Sequence, residues 1–202
     1  MNRASLKQLA KEQIKGNIGI LFLCMLIVVA ISSLASAIDK AIGDNSTVVS
    51  LIVSVFVVSI LGYGINLNHI NLSRQIKASV PTLFEGFKDY GRVWLTFFFM
   101  SLFETLWTLL FVIPGIVKSI AYSFAPYIIA EDPNISPRDA IKRSMEITNG
   151  HKGELFVLYL SFIWWILLTG VTFGIAGIYV FPYMNQTYVN AYHSLLSANN
   201  AE

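Results

Sequence analysis

Hydrophobic positions in this chain come in long unbroken runs separated by short polar segments, and they lack the half-apolar periodicity of a soluble domain. A run of about twenty apolar residues matches the roughly 30 Å of bilayer hydrocarbon. The first run covers about 18–38, the second 48–67, the third 93–113 and a shorter fourth 116–130. The last apolar region is too long for one crossing and is interrupted at Gly170, Gly174 and Gly177, so it reads as two spans, 155–169 and 175–196. The pattern predicts an all-α fold: one polytopic membrane helix bundle over 1–202, with about six transmembrane helices and short amphipathic interfacial helices. A five-span alternative makes Tyr183–Leu196 an interfacial helix instead.

The connecting segments carry helix signals of their own. Ser5 and Gln8 stand at capping-box spacing. Leu6, Leu9, Ala10, Gln13 and Ile14 then share a helical face, with Lys7, Lys11 and Lys15 elsewhere. This predicts an interfacial helix with snorkelling lysines, broken at Gly16-Asn17. Thr82 and Glu85 repeat the capping-box spacing after Pro81 and predict a surface helix bearing Leu83, Phe84 and Phe87. Gly62 and Gly64 permit close backbone approach. Pro114-Gly115 predicts a tight turn between the third and fourth runs. The fourth run holds Lys118, Tyr122 and Pro126 and reads as a short kinked span or a re-entrant segment. An acidic stop, Glu131-Asp132-Pro133, follows it. Ser136-Pro137-Arg138-Asp139 is a helix start: Ser caps, Pro fits the first helical position, and Asp favours the first turn. That helix runs to Thr148, and Asn149-Gly150 ends it. Gly170-x-x-x-Gly174 reads as a turn rather than a helix-dimer motif, because it lies between two apolar runs.

Composition supports the membrane class. The chain is 55% hydrophobic and 13% charged, with a mean hydropathy of +0.62. Soluble domains carry about 25% charged residues. A net charge of +2 leaves no footprint for a nucleic-acid partner. The single cysteine, Cys24, has no intrachain disulfide partner. Charge placement also threads the chain. Twelve of the fourteen Lys and Arg residues fall in 2–17, 68–92 and 131–154; only Lys40 and Lys118 lie elsewhere. The positive-inside rule puts those three segments in the cytoplasm, so the N-terminus is cytoplasmic and the third and fourth runs both cross. The tail after Leu196 has no basic residue to fix its side; six spans would make it cytoplasmic too. The basic start, the apolar run and Ala35-Ser36-Ala37 also fit a signal peptide. The run is longer than a typical signal core and more spans follow, so it is read as a span.

The N-terminal LKQLAKEQIKGN, the central IPGIVKSIAYSFAPYIIAEDPNISPRDAIKRSMEITNGHKGELFVLYLSFIWW and the late TFGIAGIYVFPYMNQTYVNAYHSLL together resemble the bacterial DUF975 integral membrane proteins, over nearly the whole chain. The pattern PGI…Y…P…I…E…A…S…G is also distantly similar to the membrane domain of some glycerophosphodiester phosphodiesterases. The resemblance implies a multi-pass protein of the bacterial cell membrane without an established activity, and it supplies no catalytic residues.

The residues themselves offer little chemistry. Glu104 and Lys118 are ionisable groups inside apolar runs, where a functional role is the default hypothesis. Folding back at Pro114 brings them within reach of each other, so they form a candidate intramembrane ion pair. Arg138, Lys142, Arg143 and Lys152 form a candidate cytoplasmic basic face. His69, His151 and His193, even with Glu131, Asp132 or Glu154, match no metal-site spacing, and no metal or other cofactor is expected. There is no nucleophile elbow, zinc-protease motif or P-loop, so no catalytic residue is assigned and the chain is not read as an enzyme. Three functions remain open. The first is a non-enzymatic accessory or scaffold protein, with membrane lipids and a second membrane protein as its partners. The alternative is a small transporter or channel subunit using Glu104 and Lys118. The weakest is an enzyme acting on lipid head groups.

Overall fold

The computed structural model describes residues 2–43 and 46–199. Those residues are helical throughout, without strands. Five helical segments are long and apolar enough to cross a membrane: Ile18–Ile42, Val48–Ser73, Pro81–Leu110, Val112–Glu131 and Lys152–Val171. The stretch expected as a sixth span, 175–196, falls on a 23-residue helix, Gly177–Asn199, which is not among those five and carries Asn185, Gln186, Asn190 and His193.

Helix α1 (Arg3–Ile14) begins at Asn2, whose side chain accepts from the amides of Ala4 and Ser5. The expected cap at Ser5 is therefore displaced; the Ser5 hydroxyl lies in the first turn and donates to the Asn2 carbonyl. The apolar face of α1 packs inward. Its Leu6, Ala10 and Ile14 are buried against the C-terminal helix, because that helix offers a face of matching polar and apolar groups. Gly16, at φ 82°, ends it as expected.

Helix α2 (Ile18–Ile42) runs without a break through Ala35-Ser36-Ala37. The return arm is α3 (Val48–Val53), one widened π turn (Ser54–Val58) and α4 (Ser59–Ser73). Carbonyls freed by the π turn find side-chain donors. Val55 O accepts from Trp94 Nε1 at 3.0 Å and Ser59 Oγ at 2.7 Å, and Phe56 O accepts from the Tyr90 hydroxyl at 3.0 Å.

A 3-10 helix (Pro81–Asp89) leads directly into α5 (Tyr90–Leu110). Thr82 caps nothing there; its hydroxyl pairs with Ser79. Leu83 is fully buried against Gly64, while Phe84 and Phe87 stay exposed. The turn into α6 (Val112–Tyr122) falls at Phe111, whose backbone is extended, and not at Pro114-Gly115. Pro114 instead sits in the first turn of α6, where its missing N–H costs nothing. Gly115 lets α6 press against Thr108 of α5.

The kink expected near Pro126 is a full break at 123–124, after which α7 (Ala125–Glu131) resumes. Helix α8 (Pro137–Ile147) has Ser136 as its cap, accepting from Asp139 N, as the sequence predicts. Next come α9 (Lys152–Leu160), α10 (Ile163–Val171) and α11 (Gly177–Asn199). The turn before α11 uses Phe173 at φ 50° and Gly174 at φ 90°, so the Gly170–Gly174 motif is a turn.

Helix α11 is the axis of the core. Val180, Tyr183, Gln186, Thr187, Tyr188, Val189, Asn190, Ala191, Tyr192 and Leu195 are all buried. Five helices long and apolar enough to cross match the five-span count, and the remaining helix, α11, packs against α1, α2, α4, α8 and α10.

Candidate functional site

Hydrogen bonds between distant segments define one end of the bundle. Asn17 Oδ1 accepts from Ala78 N at 3.3 Å. Gln186 Nε2 donates to Gln13 Oε1 at 3.0 Å, and Gln186 Oε1 faces His69 Nδ1 at 2.9 Å. Asn190 Nδ2 donates to Leu6 O at 3.4 Å. A buried amide without partners would cost roughly 1–3 kcal/mol, so this network joins α1, α4 and α11 only because each member is satisfied. Arg92 of α5 donates to the carbonyls of Ile129 and Asp132, both at 3.1 Å, and pairs with Asp89. Residues 2–17, 68–92 and 131–154, the three basic segments, therefore meet at the same end.

Glu131 is the hub of that end. Its Oε1 accepts from Arg74 at 2.8 Å and faces His193 Nε2 at 3.0 Å, while Oε2 accepts from the Tyr192 hydroxyl at 2.8 Å. The side chain is 17% exposed. Partial burial of a carboxylate is tolerable when donors from two helices are held in place around it. Sequence reasoning read Glu131 as part of a stop; its partners lie 57 to 62 positions away, beyond any local spacing rule.

The basic face lies on α8. Ala140, Ile141, Ser144 and Ile147 turn inward, and Arg138, Lys142 and Arg143 are exposed. Arg138 stacks over the Phe99 ring at 5.2 Å, and Lys142 makes only a long pair with Glu146 at 4.0 Å. Lys152 follows at the start of α9, half-buried. Lys7 of α1 donates to Ser161 O at 3.2 Å and covers the Phe162 ring at 4.1 Å. Burial, with Arg3 and Lys11 nearby, holds the Lys7 ammonium below its ordinary pKa.

The expected ion pair is not formed. Among the described residues no salt bridge joins Glu104 to Lys118. The Lys118 ammonium lies 4.9 Å from the Trp107 ring centre instead. With the turn at Phe111, Glu104 and Lys118 each stand seven residues from it and so lie level, but the aromatic face of Trp107 takes the lysine. Glu104 lines a shallow recess with Ser101, Thr105, Thr108 and Leu109, all from α5.

The histidines are dispersed: His69 faces Gln186, His151 faces Glu154 at 3.2 Å, and His193 faces Glu131. Among the described residues no group of three His, Cys, Asp or Glu side chains is placed to hold a metal ion.

Residues 108–199, from the end of α5 through α11, match the family model described as "Protein of unknown function (DUF975)". The match covers 92 of the 202 residues. This region contains Lys118, the Glu131 hub, all of α8 and the central helix α11; Glu104 and the N-terminal LKQLAKEQIKGN segment lie outside it. No curated protein and no solved structure matches the chain. The distant likeness to the phosphodiesterase membrane domain has no such support.

Proposed function

We propose that this protein is a non-enzymatic accessory or scaffold protein of the bacterial cell membrane, with its N-terminus and basic face in the cytoplasm. It engages anionic lipid head groups, and through them or beside them a membrane partner, with Arg138, Lys142, Arg143 and Lys152. The observation that carries this reading is the convergence of the three basic segments at one end of the bundle, with the charged face of α8 turned outward. A basic residue near an anionic surface contributes about 1 kcal/mol, and a group of them adds up. The interior supports the same reading: several of its buried amides are held in fixed contacts such as Gln13–Gln186–His69.

The test is lipid selectivity in mixed bilayers, read with spin-labelled phosphatidylglycerol and phosphatidylcholine. The native protein should hold the anionic lipid preferentially, and that preference should fall with salt. Lys142→Gln, Arg143→Gln and Lys152→Gln together should abolish it. Equal selectivity before and after the triple change would reject the basic face as the lipid site.

A second reading, a transporter subunit, draws on Glu104 and the hydroxyls of Ser101, Thr105 and Thr108 along one face of α5. That recess is lined by a single helix and opens sideways, which favours the scaffold reading. Proton-coupled flux in vesicles that is lost with Glu104→Gln would reverse the preference.

A further inference from the structure

Three hairpins leave the common end: α2 with α3, α5 with α6, and α10 with α11. Their tips differ in chemistry. The first tip is polar. Asp39 Oδ1 accepts from Ser46 Oγ at 3.0 Å and Val49 N at 2.9 Å, Oδ2 accepts from Ser50 N at 2.7 Å, and Lys40 is exposed beside it. Its 25-residue arm α2 is about 37 Å long, more than the hydrocarbon thickness. The second tip is Leu109-Leu110-Phe111-Val112-Ile113 and the third is Val171-Thr172-Phe173-Gly174-Ile175; neither has an ionisable residue. Their side chains are bare: Leu109 is 83% exposed, Ile113 76% and Phe173 98%.

The apolar reach beyond the charged end is short in both later hairpins. Helix α8 lies across the second one. Arg138 covers Phe99 on one arm, and Ser144 bonds Ala121 and Phe124 on the other. Phe99 and Phe124 stand at about one level, since Phe103 packs on Tyr122 and Thr108 on Gly115 farther out. From Phe99 to Leu110 the chain rises about 16 Å, and from Phe124 to Val112 about 18 Å. Lys142, one helical turn from Arg138, is 72% exposed and needs water. In the third hairpin Lys7 marks the level of Ser161 and Phe162, and the rise from Phe162 to Val171 is about 14 Å. Half of the bilayer hydrocarbon is about 15 Å.

We propose that the second and third hairpins enter one leaflet and return, with their tips near the bilayer midplane and covered by acyl chains, while the first hairpin crosses. Backbone at that depth must satisfy itself. Four tip amides do so: Phe111 N bonds Trp107 O at 3.0 Å, Gly115 N bonds Phe111 O at 3.0 Å, Gly174 N bonds Thr169 O at 2.8 Å and Ile175 N bonds Thr172 O at 3.1 Å. The three basic segments keep a common side, because a hairpin that returns and a hairpin that crosses twice both end where they start.

The test uses the whole 202-residue chain in oriented vesicles, with Cys24→Ala as background and single cysteines at the exposed positions Lys40, Ile113, Lys142 and Phe173. A membrane-impermeant maleimide should label Lys40→Cys and Lys142→Cys from opposite faces, and Ile113→Cys and Phe173→Cys from neither. A fluorophore attached in detergent at Ile113→Cys or Phe173→Cys should be quenched about twofold more by a mid-chain nitroxide lipid than by one near the carbonyls. Aqueous labelling of Ile113→Cys or Phe173→Cys from the Lys40 face, or stronger shallow quenching, would overturn the proposal. It does not depend on lipid selectivity at the basic face, because this readout is depth and not binding.

Discussion

Ser144→Ala tests the joint on which α8 sits. Proline at 126 cannot donate a helical hydrogen bond, so the fourth apolar run breaks at 123–124 and strands backbone groups inside the protein. Ser144 repairs the break from a different helix. Its Oγ donates to Ala121 O at 2.7 Å and accepts from Phe124 N at 3.1 Å, at a site with no solvent exposure. Alanine removes both bonds. Ala121 O keeps only a long contact from Thr148 Oγ1 at 3.5 Å, and Phe124 N–H loses its partner. One net hydrogen bond is worth about 1 kcal/mol, and an unsatisfied buried donor costs about 1–3 kcal/mol, so the expected loss is about 2–3 kcal/mol. For a chain of this size that lowers Tm by roughly 4–10 °C.

The chain carries its own reporter for this assay. Cys24 is 1% exposed, so a thiol-reactive dye reads unfolding in detergent without an added label. Thr148→Val is the control: Thr148 Oγ1 bonds chiefly within its own helix, to Ser144 O at 2.8 Å, and its loss should cost about 1 kcal/mol or less. A Ser144→Ala loss no larger than that of Thr148→Val would refute the role assigned to the hydroxyl.

Gly64→Ala should destabilise by about 2 kcal/mol or more, because its Cβ would stand 2.1 Å from the Leu83 carbonyl oxygen, whereas Gly62→Ala meets nothing and should be neutral or gain up to about 1 kcal/mol; thermal scans of the pair check this. Asp39→Ala removes the acceptor for Val49 N and Ser50 N at the start of α3 and should cost about 1–2 kcal/mol, seen as faster hydrogen exchange at those amides. Glu131→Ala strands Tyr192 and His193 and should cost about 2–3 kcal/mol, while Arg74→Ala, at a side chain 48% exposed, should cost about 1 kcal/mol or less; equal losses would show that the hub is held by the arginine alone.

Local rules read local structure well in this chain. The helix start at Ser136, the break at Gly16, the kink near Pro126 and the turn at Gly170–Gly174 each depend on a few adjacent residues, and each is present. Capping at Asn2 in place of Ser5 is a choice between two good caps three residues apart, decided by which one precedes the apolar face of α1. The ion pair of Glu104 with Lys118 was a register argument; the turn at Phe111 does set the two residues level, but the lysine packs on the Trp107 ring, a contact that spacing along the chain does not encode. Glu131 and its three partners were not legible at all. Their sequence separation carries no periodic signal, and only the packing of α11 against α4 and α7 brings them together.

Hydropathy alone does not say how α11 is held. Its amides and hydroxyls lower its hydropathy, which would suit a surface helix, but they point at fixed partners: Gln186 at Gln13 and His69, Asn190 at Leu6 O, Thr187 at Tyr183 O. Between them Tyr183, Tyr188 and Tyr192 pack on Phe162, Tyr159, Phe124 and Tyr127. A helix of this kind is stable only inside a finished assembly, because each polar group left unpaired would cost more than its share of apolar burial returns. The N-terminal helix α1 supplies Gln13 and the Leu6 carbonyl, so the first residues of the chain complete a site formed mainly by its last helix. The contact of α1 with α11 therefore ties the chain's two ends together at the charged end of the bundle, from which the hydrophobic hairpins project.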